Sequence, residues 1–126
     1  MKFKLLLYKP MKRKIIINYP GCASRTFFVN SDLVVSELLE KVFAWFNHGS
    51  GQEAHFFLES KMRSLSKNDC VNIDGQWYQC ASIGWNEITD ERVDELERLV
   101  VAHPLFKEHG AWFCLNDVMW EKYKKI

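Results

Sequence analysis

Cys22, Cys70, Cys80 and Cys114, with four histidines, are the side chains that could hold a metal or attack an electrophile. Zinc ligands come in tight pairs such as Cys-x2-Cys, because one turn must present two donors to one ion. No cysteine pair has that spacing, and His103 and His109 straddle Pro104. A nucleophilic thiol needs a neighbouring base or a positive field. Cys114 with His109 is the pairing the chain offers, set against a buried structural thiol. No Gly-x-Ser-x-Gly elbow occurs. Gly49-Ser50-Gly51 lacks the lysine and spacing of a phosphate loop and reads as a helix stop. The expectation is a protein without catalytic residues, metal or cofactor.

Binding chemistry is better represented. Residues 1–30 carry seven Lys/Arg and no acid, while the rest carries ten basic and sixteen acidic side chains. Lys9, Lys12, Arg13 and Lys14 cluster where a turn is expected, and long cations there can reach phosphates or an acidic partner. Arg63, Lys61 and Lys67 extend this basic set. Trp77 and Trp85 are the candidate stacking or anchoring surfaces, since indoles and guanidinium groups dominate many interfaces. The competing reading for the cations is a solvated hairpin tip, and for Trp77 packing under a helix.

These groups need a scaffold. At 126 residues with 48% hydrophobic side chains, the chain fits one α+β domain spanning 1–126. Alternating apolar residues predict strands at 2–8, 14–19 and 25–29, an N-terminal antiparallel meander. Leu39, Val42, Phe43 and Phe46 predict a helix over 36–48 with Ser36 as its cap. Residues 54–60, Ala-His-Phe-Phe-Leu-Glu-Ser, are read as a short strand in preference to a helical turn. Asp74-Gly75 predicts a hairpin of Cys70–Ile73 and Gln76–Cys80, because this pair readily takes the positive φ angles of a two-residue turn. In that register Val71, Ile73, Tyr78 and Cys80 share one face, and Cys70, Asn72, Trp77 and Gln79 the other. The two thiols then cannot bond or share an ion. Further helices are predicted over 90–103, capped by Thr89 or Asp90, and after Asn116 or Asp117. The whole is an antiparallel sheet packed with about three helices. The apolar part of the start is only Leu5–Tyr8, short of the roughly 7–15 residues of a secretion signal. A cytoplasmic protein without membrane contact is expected.

The stretch from Phe46-Asn47-His48-Gly49 through Arg63-Ser64-Leu65-Ser66, Asp69, Tyr78, Cys80 and Gly84-Trp85 resembles small accessory proteins of phages and plasmids. The similarity covers about residues 43–85. It departs at Asn68, where glycine is usual, although asparagine also tolerates a left-handed conformation. The resemblance implies a mobile-element accessory protein, and no catalytic role carries over from it. By analogy of context it implies binding and inhibition or modulation of a host protein or nucleoprotein complex, CRISPR effectors included. The alternative is a small nucleic-acid-binding regulator using the N-terminal basic face. The 63–85 stretch itself reads as scaffold.

Overall fold

The computed structural model describes residues 11–104 and Phe106. Five antiparallel strands form one sheet in the order β2-β1-β3-β4-β5. They are β1 (Met11–Asn18), β2 (Arg25–Ser31), β3 (Cys70–Ile73), β4 (Gln76–Cys80) and β5 (Trp85–Ile88). The helices are α1 (Val35–Trp45), α2 (His55–Ser60) and α3 (Asp90–Ala102). The α+β architecture expected from the sequence is therefore present. The strand expected at 2–8 and the helix expected after 116 lie outside the described residues.

Two apolar clusters sit on opposite faces of the sheet, the layered arrangement that buries both sides. Ile15 and Ile17 of β1, with Val71 and Ile73 of β3, meet Leu38, Leu39, Val42 and Phe46 on one face. On the other, Cys70 packs with Val93, Leu96 and Val100 of α3, with Trp77 and Ile88 against them. The hairpin has the expected register, Cys70 opposite Gln79, Val71 opposite Tyr78 and Ile73 opposite Gln76. Asp74 and Gly75 both have positive φ, 51° and 100°. Asn68 takes φ 77°, the left-handed conformation that asparagine tolerates better than most side chains.

Several local expectations change. Residues 11–13 are not a turn, because β1 begins at Met11. Its alternation sends Arg13 to the α1 side, where Nη1 donates to the Leu33 carbonyl and Nε reaches Asp74. A buried cation with both partners can sit inside a strand. Residues 55–60 form α2, not a strand: Phe57 and Leu58 donate their amides to the Ala54 carbonyl, and Phe57 is fully buried. Six residues are too few for periodicity to separate the two. Helix α1 starts from Val34 without a side-chain cap, so Ser36 lies inside it. Thr89 caps α3 as expected, accepting from the Arg92 amide. Strand β5 was not anticipated.

Candidate functional site

Strand β1 pairs with β2 so that Lys14 lies opposite Phe28 and Lys12 opposite Asn30. Because side chains alternate, Ile15, Ile17 and Phe27 enter the core while Lys12, Lys14 and Phe28 face the other way. Phe27 stacks on Phe46, with ring centroids 5.7 Å apart. Phe28 is left 55% exposed. The Lys12 ammonium lies 4.8 Å from the centre of its ring, within cation–π range. The result is an aromatic ring flanked by two exposed lysines on the outer face of β1–β2.

The residues singled out in the sequence do not converge there. Lys12 and Lys14 do. Lys9 lies outside the described residues. Arg13 and Arg63 do not point outward: both side chains are buried in ion pairs, Arg13 with Asp74 and Arg63 with Asp69. Arg63 forms a two-pronged contact, Nη1 to Oδ2 at 2.6 Å and Nη2 to Oδ1 at 2.9 Å. Its guanidinium carbon also lies 4.6 Å from the centre of the Tyr19 ring. Trp77 shares the outer side of the sheet with Lys12 but packs into the cluster under α3. Trp85 is on the opposite face, edge-on to Phe43 at 6.2 Å. Phe28 was missed, although the Phe27-Phe28 pair carried the signal. Two adjacent residues of a strand must face opposite ways, so one ring had to leave the core.

The thiols sit where nucleophilic chemistry is suppressed. Burial, with smaller effects from nearby charges, pushes Cys70 up to about 12 and Cys80 up to about 11. Cys22 is also raised, chiefly by burial. A thiol needs a lowered value to be a ready nucleophile. Cys70 and Cys80 belong to opposite faces of the hairpin, as the register required. Cys114 and His109 lie outside the described residues. Among the described residues, no group of three or more His, Cys, Asp or Glu is placed to hold a metal ion. No helix among them is long and apolar enough to cross a membrane.

The electrostatics of the outer face are mixed. Helix α3 lies on the same side of the sheet as Lys12 and Lys14, and carries Asp90, Glu91, Asp94, Glu95 and Glu97 against Arg92 and Arg98. The sheet side that carries the basic aromatic strip therefore also carries an acidic helix, packed over β3, β4 and β5. No protein-family model matches this chain, and no curated protein or solved structure matches it.

Proposed function

We propose that this protein is a non-catalytic accessory protein that binds a host protein or nucleoprotein complex through the outer face of β1–β2 and inhibits or modulates it. The observation that carries the reading is Phe28, exposed on a regular strand with Lys12 over its ring and Lys14 opposite. Covering such a ring gains roughly 1–2 kcal/mol, and flanking cations orient an acidic partner surface. The acidic α3 on the same side of the sheet favours a protein surface of mixed charge over a bare polyanion, which it would repel. The resemblance of residues 43–85 to phage and plasmid proteins supports placing the target in a bacterial cell, with CRISPR effectors as the targets to test first. The raised thiols disfavour nucleophilic chemistry at Cys70 and Cys80.

The test compares the protein with its Lys12→Glu/Lys14→Glu/Phe28→Ala variant. Expression in bacteria with an active CRISPR system should restore infection by a targeted phage, and the variant should not. The wild-type protein should co-purify with the effector, and the variant should lose it. Equal behaviour of both proteins removes this face from the reading, and no effect of either removes the function. Nucleic-acid binding remains the second reading because an exposed, lysine-flanked ring also suits base stacking. It predicts a gel shift that weakens steeply with salt. If that shift depends on Phe28 and no protein is captured, the second reading replaces the first.

A further inference from the structure

A groove of about 400 Å³ lies between α1 and the β4–β5 hairpin, on the sheet face opposite Phe28. Across the β4–β5 ladder Tyr78 is opposite Glu87, and Cys80 is opposite Trp85. All four therefore face the α1 side. Val35 and Leu39, one helical turn apart, form the apolar wall, and Glu40 stands beside them at the rim. A smaller hollow of about 180 Å³ shares Glu40, Gly84 and Trp85 with it and is also lined by Ser82. Tyr78 and Trp85 remain half-buried because β5 is the sheet edge among the described residues. The Trp85 ring is already oriented by its edge-on contact with Phe43, at 85° between planes.

The groove is electronegative. Neither Glu40 nor Glu87 forms an ion pair among the described residues. Arg13, the nearby cation, is committed to Asp74 and the Leu33 carbonyl. The field is felt inside: Tyr78 is raised by burial and by Glu87, though Arg13 opposes, and Glu40 is among the groups that raise Cys80. Two aromatic faces beside two unpaired carboxylates fit an organic cation. An anion would be repelled, and an apolar group would leave two carboxylates desolvated. Guanidinium suits this better than ammonium: it is planar, weakly hydrated, stacks on indole and presents five donors. Ile83 points to a macromolecular carrier. It is 94% exposed at the hairpin tip, next to Gly84, which lines the groove, and Ser82, which lines the adjoining hollow.

We propose that this groove receives an arginine side chain of a protein partner, with the guanidinium stacked between Trp85 and Tyr78 and hydrogen-bonded by Glu40 and Glu87, while the flanking partner residues cover Ile83. The site is independent of the β1–β2 face, so either can fail without the other.

The test is an NMR titration of the isotope-labelled protein with N-acetyl-arginine methylamide, and with the neutral N-acetyl-citrulline methylamide. The expected result is a saturable shift of the Trp85 indole N–H and of amides 84–87 with the arginine compound alone. Glu40→Gln/Glu87→Gln, both at exposed positions, should weaken the arginine compound by roughly tenfold with the rest of the spectrum unchanged. Phe28→Ala should bind as wild type does. An arginine–alanine peptide that also shifts the Ile83 amide supports a protein carrier. Equal shifts with citrulline, a silent Trp85 indole, or an unaffected Glu→Gln variant overturns the assignment. An Ile83 amide unmoved by the peptide overturns its protein part.

Discussion

Arg63 and Asp69 close a two-pronged ion pair inside the protein, with the residues only 6% and 1% exposed. The pair pins the 63–69 loop to the start of β3. The Ser66 amide donates to the same carboxylate at 2.7 Å, and the Tyr19 hydroxyl donates to the Arg63 carbonyl at 2.9 Å. Burial pushes the Asp69 carboxyl up, and the Arg63 hydrogen bonds and charge work against that.

Removing one partner leaves the other charged and buried. Arg63→Leu or Asp69→Leu alone should each cost about 3–5 kcal/mol in urea unfolding. The double variant should cost clearly less than the sum, because neither orphaned charge remains. Simple additivity would show that the two side chains do not act as a unit.

The thiols give a second prediction. At pH 8 a thiol raised to about 11 is thiolate in roughly one part in a thousand, and burial slows it further. In a background with Cys22 and Cys114 changed to serine, labelling of Cys70 and Cys80 by a disulfide reagent should track global unfolding, with urea accelerating both together. Fast labelling of either in the native protein would contradict the burial argument.

The hairpin was legible from the sequence because Asp-Gly fixes a two-residue turn, and a turn of known length fixes every facing pair after it. The face assignments of Cys70 and Cys80 followed from that alone. Helix α3 was legible for the same kind of reason: its stripe of Val93, Leu96 and Val100 repeats over enough turns to define a period. Helix α2 and strand β5 are short and bury few groups, so tertiary contacts decide them and local pattern does not. The candidate surface was half legible. A count of cations located the basic segment, but it could not tell Lys12 and Lys14, which face solvent, from Arg13 and Arg63, whose carboxylate partners lie 61 and 6 residues away. The groove needed the fold outright, since its walls come from α1 and a hairpin some forty residues later.

Gly21 supplies a third prediction. Its φ is 87°, and a Cβ placed there would lie 2.6 Å from the Phe106 ring and 3.0 Å from a Val100 methyl. Both the backbone conformation and the close approach of the α3 end exclude a side chain. Gly21→Ala should destabilise by roughly 2–4 kcal/mol. Val100→Ala costs stability by itself, since Val100 is in the core. Combined with Gly21→Ala, the two should cost less than the sum of each alone, because the second change removes one of the clashing groups. No loss of thermal stability in Gly21→Ala would refute this packing.

Asp74 ties the hairpin turn to β1, accepting from the Lys14 amide at 2.9 Å and from Arg13. Burial raises its carboxyl, but the Arg13 hydrogen bond, the Lys14 amide and the Arg13 charge together leave it below the ordinary carboxylate value. A carboxyl lowered by folding contributes stability that is complete above its unfolded value, near 3.9, and is lost as pH falls through the lower folded value. Asp74→Asn keeps the turn, since Asn-Gly favours the same conformation, but it discards the charge. The variant should be less stable by about 1–2 kcal/mol at neutral pH, a modest figure because the side chain is 40% exposed. That gap should stay level down to about pH 5 and then close as acid protonates the wild-type carboxylate. Urea unfolding of both proteins across this range measures it. A gap that persists unchanged below about pH 3 would mean that Asp74 acts through turn geometry and not through its charge.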